Sequence, residues 1–179
     1  VSDVDNEDGT HTVSWRQDKP HAPYLFMMTI GEFAQINDEW EGMSVDYFVE
    51  KEYENVAREI FGETPAMLTF FSDKLGVRYQ WDKYWQVCVR DYVSGAMENT
   101  SAVIFGEFVQ QHARELLDED HEDIVSHELF HHWFGDLVTC ESWANLPLNE
   151  SFATYGEVLW REYRYGEDEK YRKVYGDMD

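Results

Sequence analysis

Basic residues are scarce in this chain. Its 179 residues hold 14 Lys and Arg against 37 Asp and Glu, a formal net charge of −23. A nucleic-acid partner asks for a basic footprint, and an anionic membrane surface attracts polybasic segments. The charge therefore argues against both. An acidic excess of this size keeps a chain soluble while straining its compact state through self-repulsion. Long hydrophobic runs are also missing. The longest, "YLFMMTI" at Tyr24–Ile30, falls well short of the ~20 residues of a membrane-spanning helix. Cysteine is limited to Cys88 and Cys140. One disulfide or two thiols are both open, and at this length the fold does not need a disulfide framework. The acidic start "VSDVDNEDGT" is not a signal peptide, and there are no repeats. The chain has no initiator Met and ends in a helical pattern, "YRKVYGDMD", so it is expected to be part of a longer protein. Its compartment stays open.

What is present suits a packed fold: 43% of residues are apolar and 16% aromatic. Up to about residue 36 the chain reads as β structure. "DNEDGT" is a turn, "HTVSW" alternates, and "YLFMMTIGEFAQI" is a buried-strand run broken at Gly31. "NDEWEG" reads as a connection and "MSVDYFV" as a strand. Then the period changes. Tyr53, Val56, Ala57, Ile60 and Phe61 share a helical face that Gly62 ends, and Thr64-Pro65 reads as an N-cap followed by proline at the first helical position. Met67, Leu68, Phe71 and Leu75 continue an apolar face to Gly76. Two further strands are expected in "WQVCVRDYV" and "SAVIFGEF", with "SGAMENT" between them. Helices are expected over Asp118 to Phe134, acidic in its first turn, and over Asn149 to Tyr165, stopped by Gly166.

"SHELFHH" at Ser126–His132 gathers three of the chain's seven histidines beside a glutamate. On a helix, His127 and His131 project from one side a turn apart. Two imidazoles so placed can share a metal ion, with Glu128 beside them as general base: the H-E-x-x-H arrangement of zinc peptidases. A catalytic zinc usually takes three protein ligands and keeps one position open. Glu150, with eighteen residues between it and His131 and at the start of the next helix, supplies the third. His132 points a quarter turn away and is read as neighbouring the site or lying on the surface. Glu157 lies two turns from Glu150 and is a candidate acceptor for a ligand histidine, as is Asp136. Each is equally readable as an ordinary surface group. Trp133, Phe134, Trp143 and Phe152 are expected to form core around these helices.

Together, "GAMEN" at Gly95–Asn99 and "HELFH" with Glu150 in "NESFA" resemble a gluzincin aminopeptidase of the M1 family. The likeness covers most of the chain. It implies an α+β fold: a thermolysin-like zincin lobe of a small β-sheet and zinc-binding helices, preceded by strands of a β domain. Residues 1–36 would be the closing strands of that domain, and 37–179 the first part of the catalytic domain. It implies one Zn²⁺ per chain on His127, His131 and Glu150, with Glu128 as catalytic base. It implies that Glu98 holds the free α-amino group of a peptide, and that the Gly95, Ala96, Met97, Glu98 and Asn99 segment, on an edge strand, pairs with the substrate. Without the resemblance, "SGAMENT" reads as a turn between strands. Two positions depart from the family's habit: His132 where a Gln often follows the second zinc histidine, and Pro147, Leu148 and Ser151 around Asn149-Glu150. The family's oxyanion tyrosine lies farther downstream than Asp179. Tyr155, Tyr163 and Tyr165 come too early to match it and are expected to pack on the helix. The rest of a parent chain is expected to complete the active site, and this chain alone to bind zinc without useful activity. Two other readings remain: a zinc hydrolase acting on a non-peptide substrate such as a lipid epoxide, and a zincin-like scaffold that works by protein interaction.

Overall fold

The computed structural model describes residues 2–178. Strands β1 (Ser2–Asp5) and β2 (His11–Ser14) form an antiparallel hairpin around the Asn6–Gly9 turn. The main sheet has six strands. Its central members β5 (Met43–Glu50), β6 (Tyr84–Val89) and β8 (Ala102–Gly106) run parallel. β3 (Phe33–Ile36) and β4 (Glu39–Trp40) pair antiparallel with β5, and β7 (Ala96–Met97) pairs antiparallel with β8 at the far edge. Parallel strands are covered on both faces and read as nearly continuous apolar runs. "YWQVCV" in β6 behaves so, with Tyr84, Gln86, Val87 and Cys88 all buried. Helices α1 (Ala57–Phe61) and α2 (Thr64–Leu75) fill the crossover between β5 and β6. Beyond the sheet come α3 (Glu122–Phe130), α4 (Pro147–Tyr165) and α5 (Glu167–Gly176). The architecture is mixed α/β, a small sheet with helices, as expected.

The core joins the sheet to α3 through aromatic contacts. Phe71 of α2 meets Phe130 of α3 edge-on at 5.0 Å between ring centres and Trp133 at 6.2 Å. α4 approaches α3 closely because residue 156 is glycine: a Cβ there would lie 2.6–2.8 Å from the Phe130 side chain. The two cysteines are free thiols, Cys88 buried and Cys140 half-buried.

Several expectations are corrected. "YLFMMTIGEFAQI" is not a buried strand along its length. A short 3₁₀ turn takes Pro23–Leu25, and pairing with β5 begins only at Phe33. Between them Phe26, Met28 and Ile30 stand 73, 75 and 85% exposed. No neighbouring strand among the described residues gives them a ladder or a cover. "NDEWEG" is more than a connection. Glu41 and Gly42 both take positive φ, the requirement of a two-residue hairpin turn, so Trp40 pairs with Met43 and is buried. Thr64 is the first residue of α2 and not its cap. Its hydroxyl donates to the Phe61 carbonyl at 2.7 Å and accepts from Gln86 Nε2 at 2.9 Å, tying α1 to β6. α3 starts at Glu122, later than Asp118, because Asp120 accepts the Glu122 N–H at 3.1 Å and is itself held by Arg161 of α4. α4 begins two residues earlier than expected, with Pro147 in its first turn. Trp143 and Phe152 lie at the surface, 62 and 39% exposed. Trp143 packs edge-on against Tyr24, and Phe152 stacks on Phe134. Trp133 is core as expected.

The close approach at Gly156 predicts that Gly156→Ala destabilises the protein by about 1–3 kcal/mol, the usual cost of overpacking a filled contact. Denaturant unfolding checks this; an unchanged midpoint would show that α4 can shift to accept a methyl group.

Candidate metal centre

α3 places His127 and His131 one turn apart, and although the helix ends at Phe130, the His131 N–H still reaches the His127 carbonyl at 3.1 Å. The expected pair therefore keeps helical geometry. The two Nε2 atoms lie 3.1 Å apart. Glu150, in the first turn of α4, brings Oε2 to 3.5 Å from His127 Nε2 and 3.6 Å from His131 Nε2. Four ligands around a metal at 2.0–2.2 Å would stand about 3.4 Å from one another, and this triangle has those dimensions.

The protons agree with the distances. His127 Nδ1 lies 2.6 Å from Glu157 Oε1, and His131 Nδ1 lies 3.0 Å from the Phe134 carbonyl. Both partners are acceptors, so each Nδ1 carries the hydrogen. The neutral rings then turn their Nε2 lone pairs toward each other and toward a carboxylate. Three electron-pair donors without a proton among them fit a cation. Glu157 is itself steadied by Lys173 of α5, whose Nζ is 2.6 Å from its other oxygen. The same field also attracts a proton, which competes with a cation for these lone pairs. Burial disfavours charge on His127, but the Glu150 and Glu157 carboxylates outweigh it and lift its pKa to about 10. The His127 and His131 rings beside it hold the Glu150 carboxyl far below its usual range.

A second set of acids faces the first. Glu98 follows β7 directly and is buried, as is Glu128. Oxygens of Glu98 and Glu128 and a ring nitrogen of His131 all lie within 4.8 Å of one another. Burial pushes the Glu128 carboxyl up to about 7 against the pull of His131 and His127, with Glu98 and Glu150 adding to the rise. One Glu128 oxygen has no hydrogen-bond partner among the described residues. A buried carboxyl of this kind can take and release a proton near neutrality.

The remaining expected residues form the wall beside it. The Gly95 carbonyl accepts the Gly106 N–H at 2.9 Å, Ala96 pairs with Phe105 and Met97 with Ile104. Asn99 is buried, its Nδ2 donating to the Leu25 carbonyl at 3.2 Å. Among the described residues the outer edge of β7 has no partner strand. Glu157 is the acceptor behind His127. Asp136 does not take that part: it lies buried, 3.4 Å from His132 Nε2, and burial raises its carboxyl well above the usual range. His132 is not on the surface. It is buried and neutral, burial lowering its pKa to about 3. Lys173 was missed altogether. It lies sixteen residues beyond Glu157 on another helix, and no spacing rule links the two. Tyr163 stacks on Phe70, and the Tyr165 hydroxyl donates to Glu122 at 2.7 Å. Tyr155 is exposed.

Removing the acceptor behind His127 tests the arrangement. Glu157→Gln is expected to weaken zinc binding about 10- to 100-fold, read by competition with a chelator of known affinity. Unchanged affinity would mean that the 2.6 Å contact does not tune the histidine.

Comparison with known proteins places the chain in a family. Residues 60–178 match the peptidase family M1 domain. Aminopeptidase N of Haemophilus influenzae is 29% identical over 177 residues, covering 94% of this chain and 20% of the relative. Probable aminopeptidase 2 of Sulfurisphaera tokodaii is 32% identical over 166 residues, 87% of this chain and 20% of the relative. Aminopeptidase N of Streptomyces lividans is 42% identical over 104 residues, 57% of this chain and 12% of the relative. The chain thus spans a fifth or less of the length of these relatives. With residues 60–178 of its 179 matching the family's domain, the chain belongs to peptidase family M1.

Proposed function

We propose that the whole protein is a zinc-dependent aminopeptidase, hydrolysing the first peptide bond of peptides with a free N-terminus. The observation that carries the reading is the triangle of His127 Nε2, His131 Nε2 and Glu150 Oε2, at 3.1, 3.5 and 3.6 Å, faced by the buried carboxylates of Glu98 and Glu128. The names of the relatives, aminopeptidases of bacteria and an archaeon, support the same class. In this reading one Zn²⁺ sits on His127, His131 and Glu150. When bound, it supplies a Lewis acid and lowers the pKa of water toward neutrality.

The chain's own residues account for the rest. Glu128 takes a proton from the attacking water and hands it to the departing amine. Glu98 is an anion fixed a few ångströms away, so it pairs with the cationic α-amino group. That pairing sets which carbonyl lies over the metal: the first. The free edge of β7 offers backbone groups at Gly95–Met97 to an extended peptide, which joins as an added strand. Nucleic acid is opposed by the net charge of −23. Among the described residues no helix is long and apolar enough to cross a membrane.

Four measurements on the full-length protein test this reading. Elemental analysis is expected to find one zinc per chain and none in His131→Ala. Glu128→Gln is expected to keep its zinc and lose about 100-fold or more in kcat; retained turnover would remove Glu128 from the role of base. Glu98→Ala is expected to raise KM for free peptides about 10- to 100-fold, the worth of a charged hydrogen bond. N-acetylated peptides should be poor substrates of the unaltered protein. Equal cleavage of blocked and free peptides would overturn the aminopeptidase assignment.

A further inference from the structure

Two parts of the proposed site come from different layers of the fold. The metal-binding residues sit on α3 and α4, and Glu98 sits at the sheet edge. Little pairing holds that edge. The ladder between β7 and β8 comprises two residue pairs and stops at Met97, one residue before Glu98. The chain then turns back into β8 through Asn99, Thr100 and Ser101, with the Ala102 N–H bonded to the Asn99 carbonyl at 3.0 Å. Ser101 takes φ +66°, a left-handed conformation that a residue with a side chain enters only under constraint. Like charge adds a further load. Glu98 and Glu128 bring carboxylate oxygens within 4.8 Å in a buried setting, which drives the two segments apart.

His132 spans the gap. Its Nδ1 lies 3.1 Å from the Glu128 carbonyl, and its Nε2 lies 3.0 Å from the Ser101 N–H. The first contact requires a hydrogen on Nδ1 and the second a lone pair on Nε2, which one neutral tautomer satisfies together. The ring is fully enclosed. Tyr79 stacks on it at 5.6 Å and Tyr84 meets it edge-on at 5.0 Å. Trp81 Nε1 donates to the His132 carbonyl at 3.3 Å. The far side of the turn is tied to the sheet, since the Ser101 carbonyl accepts from the Trp85 N–H at 3.0 Å and from Lys83 Nζ at 3.1 Å.

We propose that His132 is a positioning residue for substrate: one imidazole fastens the backbone of Glu128 to the turn behind Glu98, and so sets the distance between the proposed proton acceptor and the proposed α-amino anchor. This rests on the aminopeptidase reading of those two glutamates. His132 touches neither substrate nor metal. Its effect is the placement of Glu98, where an error near 1 Å costs on the order of 100-fold.

The experiment compares His132→Leu and His132→Gln with unaltered full-length protein. Leucine fills part of the space and makes neither bond; glutamine carries one donor and one acceptor and can remake both. Each is assayed for kcat and KM on a free peptide and on its N-acetylated counterpart, for zinc by elemental analysis, and for protection of the Ser101 amide by hydrogen exchange. His132→Leu is expected to keep one zinc per chain, lose Ser101 protection, and lose at least tenfold in its preference for the free peptide, mainly through KM. His132→Gln is expected to recover most of both. If the leucine variant keeps the preference, or loses zinc in step with activity, the positioning role is wrong. If it does not fold, the glutamine variant decides: a fast-exchanging Ser101 amide with unaltered preference overturns the proposal. If the unaltered protein shows no preference for free N-termini while Ser101 is protected, the aminopeptidase reading fails, and the functional half of the inference falls with it although the bond exists.

Discussion

Three electron-pair donors that repel one another must be held within about 3.6 Å, and much of the structure around α3 and α4 serves that end. Neutral imidazoles and a carboxylate do not converge without either a cation between them or rigid support behind them. Here the support is explicit. Glu157 and the Phe134 carbonyl fix the hydrogen of each ring on Nδ1, leaving both Nε2 atoms free. Lys173 pins Glu157 in turn. Orientation is thus passed outward from the donors, through a carboxylate, to the third helix, α5. This is the usual design of metal-binding histidines, whose outer partners set tautomer and basicity.

Economy of placement follows from α4. Glu150 and Glu157 are seven residues apart on one helix, so they share a face at a separation of two turns. One supplies a donor to the triangle and the other buttresses a histidine that completes it. A single rigid-body shift of α4 would therefore disturb both at once, which gives the close contact at Gly156 and Phe130 more than a packing role. Gly135 is a comparable point on the other side: it holds φ +141°, and a Cβ there would stand 3.0 Å from His131 Nδ1. Glycine at 135 leaves that nitrogen free to donate to Phe134.

What could be read from the sequence was local and periodic. Spacing placed His127, His131 and Glu128 together because one helix spans them, and Glu150 followed because a third donor was needed from a second helix. The central strands were legible as apolar runs, and Gly76 and Gly166 marked helix ends. What escaped depended on tertiary partners. The position of His132 was readable, but not that Ser101, thirty-one residues earlier, donates to its ring. Arg161 of α4 holds Asp120 just ahead of α3, a contact no local pattern contains. Trp143 and Phe152 looked like core by type alone, yet each packs against one aromatic neighbour at the surface. In "YLFMMTI" the apolar run suggested a strand, and Phe26 does take extended backbone, but a strand also needs a neighbour.

That unfinished strand carries a consequence for the chain in solution. Phe26, Met28 and Ile30 point outward on a segment whose backbone groups have no ladder partner among the described residues. Open extended segments of this kind are templates for pairing between copies. The net charge of −23 works against such encounters over a distance set by salt: roughly 30 Å at 0.01 M but only about 10 Å at 0.1 M. Colloidal behaviour is therefore a contest between a short apolar stripe and a long-range repulsion, and ionic strength tilts it toward self-association.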